Sequence, residues 1–87
     1  MASYSVLIKS SAAKELEAVE PRSTRVRLAS RIQGLAQNPR PSGSQKLAGD
    51  EERYRIRQGA YRILYGVDDA TREVLVVKIG HRRAVYR

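Results

Sequence analysis

Two short stretches of this chain carry residue types able to do chemistry, and both are rich in arginine. In Arg53-Tyr54-Arg55-Ile56-Arg57 the basic residues fall at every second position, and Arg62 follows in Tyr61-Arg62-Ile63-Leu64-Tyr65. Near the end, Gly80-His81-Arg82-Arg83 precedes Tyr86. The sequence has no cysteine, a single histidine and no glycine-rich phosphate loop, so a thiol nucleophile, a histidine metal cluster and a phosphate-loop mechanism are not on offer. The loose acidic groups Glu15/Glu17, Asp50 to Glu52 and Asp68/Asp69 read as solvating residues of a helix and turns. What is left is metal-free chemistry run by arginine, tyrosine and histidine.

RNA cleavage fits that inventory, because RNA carries its own nucleophile in the 2′-hydroxyl. A protein then has to help deprotonate that hydroxyl, stabilise a pentacoordinate phosphorane and protonate the leaving 5′ oxygen. Arginine suits the second task as a fixed cation placed where negative charge develops. It suits neither proton transfer, since it does not give up its proton in proteins. Tyrosine titrates near about 10 when unperturbed, and neighbouring guanidiniums favour its anion, which makes Tyr86 a candidate general base. Histidine is the residue type that titrates closest to neutrality, which makes His81 a candidate acid. The plainer readings are a polar surface histidine, a packing tyrosine and a charged tail.

The elements that must position these residues can be read from periodicity. Residues 4–8 are short and rich in strand formers. Ser10 or Ser11 would cap a helix whose apolar face is Ala12, Leu16 and Val19. Pro21 breaks or restarts it. A second helix over residues 21–37 would bury Leu28, Ile32 and Leu35, and residues 38–44 form a stop and loop. Residues 45–50 continue that connection, with Leu47 as an anchor. Residues 53–57 and 61–67 form a hairpin around Gln58-Gly59-Ala60. Residues 73–79 are a nearly continuous apolar run, which predicts a central strand covered on both faces. Gly80-His81-Arg82-Arg83 would lie just past its end and curl toward the arginine face.

Side chains alternate across a strand. Arg53, Arg55 and Arg57 therefore share one face, with Tyr54 and Ile56 on the other. If Tyr61, Ile63, Tyr65 and Val67 also face the helices, Arg62 lands beside Arg55 and Arg57. Like charges side by side weaken a sheet, so the cluster suits a polyanion. The alternative is a solvated edge strand that charge protects from aggregation.

Composition agrees with a basic, single-domain protein. The 87 residues suffice for one domain. The basic residues are 13 Arg and 4 Lys against 9 acidic residues, a formal charge of +8, which is the footprint of a nucleic-acid or acidic-protein partner. The first 20 residues are slightly acidic, so the basic surface comes from the middle and the C-terminal half. No apolar run approaches the roughly 20 residues that span a bilayer, and no basic segment precedes an apolar one at the start, so neither a membrane span nor a signal peptide is expected. The absence of cysteine fits a reducing, cytoplasmic setting.

The order Tyr54-Arg55-Ile56-Arg57, then Gly59-Ala60-Tyr61-Arg62-Ile63-Leu64-Tyr65, then Ile79-Gly80-His81-Arg82-Arg83 with Tyr86, resembles the RelE/ParE toxin superfamily. Ala13-Lys14-Glu15-Leu16, the stretch 35–39, Lys46-Leu47 and Gly49 add to the likeness, which runs from about Tyr4 to Tyr86. The resemblance implies an α+β domain of β-α-α-β-β-β order over residues 1–87. Its two N-terminal helices would pack on one face of a mainly antiparallel four-stranded sheet. It also implies the toxin of a type II toxin–antitoxin system. In the RelE branch such a toxin is a ribosome-dependent endoribonuclease that cuts mRNA in the A site and needs no cofactor.

By the same resemblance Arg62 matches the transition-state arginine of the Tyr-Arg-x-x-Tyr strand, Arg82 the arginine after the Gly-x pair, and Tyr86 the C-terminal tyrosine. Arg55 and Arg57 stand where the best-known RelE toxins have lysine, and with Arg53 and Arg83 they would bind RNA. Because arginine cannot share a proton as lysine can, the acid role falls to His81, to a ribosomal group or to none. The partners implied are the ribosome, mRNA and a cognate antitoxin whose acidic or amphipathic segment covers the basic sheet face. No membrane and no small-molecule substrate is implied. The other branch implies a ParE-like toxin that inhibits DNA gyrase without cutting nucleic acid, and a third reading is a catalytically weak protein whose basic face mainly binds its antitoxin.

Overall fold

The computed structural model describes residues 3–49 and 52–81. Strand β1 (Ser5–Ile8) leads into helix α1 (Ser10–Glu17) and helix α2 (Arg22–Gly34). Strands β2 (Gln45–Lys46), β3 (Arg53–Gln58), β4 (Tyr61–Asp68) and β5 (Glu73–His81) follow. The sheet has five strands in the order β1-β5-β4-β3-β2, with β1 parallel to β5 and the other pairs antiparallel. The expected α+β class and helix pair are present, and the sheet has one strand more than the four expected. The addition is β2, which pairs only with Arg55 and Tyr54. Two residues are too few to carry a period-2 signal, so the segment reads as loop from sequence.

Local chemistry explains most boundaries. α1 begins on the Lys9 carbonyl, which accepts the Ala13 N–H at 2.9 Å, and no side chain caps it. The expected serine cap is therefore absent, because Ser10 and Ser11 already lie inside the first turn. α2 starts directly after Pro21, whose extended ψ of 172° suits the residue before a helix. Its regular part ends at Gly34, and residues 35–37 continue as a tighter turn with bonds to carbonyls three residues back. The β3–β4 turn places Gly59 at φ +61°, a conformation costly for any residue with a Cβ. At the β4–β5 turn the Asp68 carboxylate accepts the N–H groups of Ala70 and Thr71 at 3.0 and 3.2 Å.

The core lies between the helices and one sheet face. Ala12, Leu28, Ile32 and Leu35 meet Tyr54, Ile56, Ile63, Tyr65, Val67, Val74, Val76 and Ile79, all buried. Burying one such aliphatic side chain stabilises by about 1.5–3 kcal/mol. Among the described residues no helix covers the other sheet face, called the open face below. β5 is interior to the sheet, yet it is covered on one face only, and Leu75 remains 41% exposed. The apolar run of β5 thus reflects a partly uncovered face rather than two layers of helices.

One irregularity governs the far end of β5. Leu64 pairs with Lys78 while Tyr65 pairs with Val76, so β5 carries an extra residue at this point. The bulge shifts the phase of alternation, and buried positions run Val74, Val76, then Ile79. β1 stops at Val76, leaving the outer edge of β5 beyond it without a strand partner. Glu15 of α1 fills in. Its carboxylate accepts the Ile79 N–H at 2.9 Å and the Lys78 ammonium at 3.1 Å. Glu15 is thus an edge partner rather than a solvating group.

Asp69 and Glu52 are likewise engaged. Arg40 donates to Asp69 through two nitrogens at 2.8 and 3.2 Å and to the Tyr54 hydroxyl at 2.8 Å. Tyr54 donates to Glu52 at 2.6 Å, and Tyr4 to Asp69 at 2.6 Å. The Arg40 guanidinium, and next the Tyr4 hydroxyl, hold the Asp69 carboxyl below its usual range. The Tyr54 hydroxyl does the same for Glu52, helped by the charges of Lys46 and Arg40. A carboxyl depressed in the folded state adds stability above its unfolded pKa and loses it as pH falls through the folded value. The melting temperature should therefore drop on acidification below about pH 4. In Asp69→Asn the drop should be shallower and the neutral-pH melting temperature lower, as followed by circular dichroism. An identical acid slope in that variant would show that the clasp contributes nothing to acid stability.

Candidate functional site

The open sheet face is divided in two. At one end β3 and β4 put Arg57 directly opposite Arg62, and β5 puts Gly80 on the other side of Arg62. Arg55 sits one pleat along, opposite Leu64. The row Arg57, Arg62, Gly80 therefore crosses three strands, with Arg62 in the middle. Arg62 is half-buried, and its Nε is inaccessible to solvent. Position 80, directly across from Arg62, is a glycine and so adds no side chain of its own to the row, a common device where a ligand approaches a sheet. Arg55 donates to the Gln45 side chain of β2, which orients it along the edge. The expected clustering of Arg55, Arg57 and Arg62 on one surface is what the register gives.

Arg53 shares the face but not the setting. It lies four residues from Arg57 along β3, about 13 Å at strand spacing. There it lines a groove of about 400 Å³ with Leu7, Leu75 and Gly66 and with the carboxylates Glu52, Asp68 and Glu73. This end of the face is apolar at its floor and acidic at its rim, and therefore much less inviting to a phosphate than the Arg57–Arg62 end.

His81 is placed differently from expectation. Gly80 and His81 belong to β5 rather than to a loop beyond it. After the bulge, alternation turns His81 away from the arginine row and toward the helix-covered side. Its ring meets Tyr61 edge-on at 5.8 Å between centroids, and Tyr61 in turn packs against the core. The structure does not bring His81 together with Arg55, Arg57 and Arg62. Arg82, Arg83 and Tyr86 lie outside the described residues.

Sequence reasoning missed one basic residue of this region. Arg31, on the last full turn of α2, lines a cleft at the sheet edge with Gly43, Gln45, Arg55 and Arg57. On the helical wheel it was only one of several arginines on the polar side. No linear signal joins it to β3, since the contact depends on where α2 crosses the sheet edge. Among the described residues there is no cluster of three or more potential metal ligands, and no helix is long and apolar enough to cross a membrane.

Comparison with known proteins bears on what such a surface does. Residues 6–86 match the family model described as the ParE toxin of a type II toxin–antitoxin system, parDE. Toxin RelG of Mycobacterium tuberculosis is 29% identical over 87 residues, and the match covers 97% of each chain. The archaeal RelE–RelB complex of Pyrococcus horikoshii contains a chain that superposes with a TM-score of 0.80 at 25% identity, over 94% of this chain and 98% of that one. The isolated RelE toxin of E. coli superposes with a TM-score of 0.77 at 26% identity, over 91% and 84%.

Proposed function

The chain belongs to the ParE toxin family, within the RelE/ParE superfamily of type II toxins, and from that premise we propose that it is a ribosome-dependent endoribonuclease that cuts mRNA in the A site. As a toxin of such a system it has a cognate antitoxin as partner. The single observation that carries the nuclease reading is the in-register row Arg57, Arg62, Gly80 on the open face. It would offer a half-buried guanidinium, flanked by a second cation and by a glycine, to a phosphate lying across the strands.

In this reading the 2′-hydroxyl of the RNA attacks the adjacent phosphorus and the bond to the 5′ oxygen breaks. Arg62 stabilises the charge that builds on the phosphorane oxygens, and Arg82 adds a second cation. Tyr86 takes the proton from the 2′-hydroxyl as general base. Arg55 and Arg57 hold the backbone and supply no proton. His81 faces Tyr61, so the leaving oxygen draws its proton from a ribosomal group or from solvent. The ribosome fixes the mRNA in an attack geometry, which lets so small a domain suffice. In a cell this chemistry would run in the cytoplasm, where translating ribosomes are.

A second reading, a gyrase inhibitor that cuts nothing, draws on the family match, which names ParE. The branches share a fold, and fold alone does not choose between them. Inducing the protein in a translating extract and mapping mRNA ends by primer extension separates the two. Codon-phased cuts that need translation are expected. Intact mRNA together with inhibited supercoiling by purified gyrase would select the second reading.

A further inference from the structure

We infer that the cleft between the last turn of α2 and the β2–β3 edge is a second phosphate site, which holds the RNA backbone next to the phosphate that Arg62 serves. The inference rests on the nuclease reading above and extends it to a residue outside the sheet. The cleft has a volume of about 330 Å³ and is lined by Arg31, Arg55, Arg57, Gly43 and Gln45.

Three guanidiniums meet there with no carboxylate among the lining residues. Arg55 and Arg57 share one face of β3 and Arg31 comes from α2, so the third guanidinium is brought in by tertiary packing. β2 pairs only with Tyr54 and Arg55, which leaves the β3 edge beside Arg57 open to α2. The Arg31 Nε is buried and has no hydrogen-bond partner among the described residues. That nitrogen is packed against protein, so what Arg31 can offer an anion in the cleft is its terminal guanidinium nitrogens. Gly43 stands in the loop at φ +92°, and a Cβ there would meet nothing within 4 Å, so the mouth is clear of side chains.

The occupant is set by this chemistry. Guanidinium forks match phosphate oxygens in pairs. A protein segment would want an aromatic or aliphatic pocket as an anchor, and none of the lining residues supplies one. The location also fits a continuous strand of RNA. Arg57 lines the cleft and is the cross-strand neighbour of Arg62. A backbone passing from Arg62 over Arg57 reaches the cleft one strand further out, about 5 Å away.

The test uses the full-length toxin released from its antitoxin and a fluorescent 2′-O-methyl RNA of about eight nucleotides, which binds but cannot be cut. Anisotropy titrations across a potassium chloride series give affinity and its salt slope. Arg31→Ala should weaken binding about tenfold and lower the slope by about 0.7, the loss of one single-strand phosphate contact. Arg31→Lys should restore the slope, and Arg22→Ala, on the opposite side of α2, should leave both unchanged. Melting curves verify that the variants fold. If Arg31→Ala binds like wild type while wild type cuts mRNA in the translating extract, the second site is wrong and the nuclease reading survives. If wild type neither binds the RNA nor cuts mRNA, both fall. If Arg31→Ala loses affinity for the antitoxin and keeps that for RNA, the cleft is a protein contact and the inference is overturned.

Discussion

Arg62→Ala is expected to lower mRNA cleavage in a translating extract by about 10²–10³-fold, the usual cost of deleting one fixed donor from a developing oxyanion. The magnitude follows from position. Arg62 sits in the middle of a three-strand row, half-buried, and does not need to be ordered at the moment of reaction. Arg62→Lys keeps the charge and loses the planar fork, so it should recover only part of the rate. The thermal stability of Arg62→Ala carries the discriminating sign. Arg57 and Arg62 are like charges in direct cross-strand register, an arrangement that weakens a sheet. Removing one should leave the melting temperature unchanged or raise it. A variant that cuts normally, or one whose lost activity tracks a lower melting temperature, would return Arg62 to the status of a solvated or structural residue.

The largest expected effect on stability belongs to Tyr65. It is fully buried in the middle of β4, and its ring stacks on Tyr54 at 5.8 Å between centroids. Its hydroxyl donates to the Pro39 carbonyl at 2.7 Å, tying the loop that carries Arg40 to the sheet. Burial raises its pKa, so the hydroxyl stays protonated as the donor. Tyr65→Ala removes the ring and leaves a cavity, at a cost of about 3–5 kcal/mol. For a domain of this size that is a fall in melting temperature on the order of 15 °C or more. Tyr65→Phe keeps the ring, loses the hydroxyl and strands the Pro39 carbonyl, which costs about 1–2 kcal/mol. Urea denaturation of both variants measures the difference. Equal losses would mean that the hydrogen bond dominates; a small loss for Tyr65→Ala would mean that the core repacks around the gap.

Much of the architecture is legible without coordinates because it rests on periodicity. Leu28, Ile32 and Leu35 mark the buried face of α2, and Arg53, Arg55 and Arg57 mark an exposed strand face, through side-chain spacing alone. Pro21, Gly59 and the run from Asn38 to Ser44 punctuate the chain for stereochemical reasons that do not depend on packing. The acidic residues were misread for a different reason. Glu15 and Asp69 find partners 63 and up to 65 positions away, and a carboxylate's sequence neighbours say nothing of a partner at that distance. Glu52 meets Tyr54 only two residues on, but its link to Arg40 is again tertiary. Arg31 escaped notice on the same grounds, since its meeting with Arg55 and Arg57 is made by the crossing of α2 over the sheet edge.

The sequence by itself determined the two-helix, antiparallel plan, the gathering of Arg55, Arg57 and Arg62 on one face, and the absence of thiol chemistry. Each follows from local spacing or from composition. Only the tertiary structure decided what stands beside Arg62. Strict alternation from Val74 and Val76 would bury Lys78 and Gly80 and turn His81 toward the arginines. The bulge in β5 adds one residue to the count, buries Ile79 in place of Lys78, and sends Lys78 to Glu15. Gly80 therefore stands in the row with Arg57 and Arg62, and His81 packs on Tyr61. A one-residue slip exchanges the two faces of a strand, and where it falls is set by burial of Ile79 and the edge bond to Glu15, which are long-range contacts.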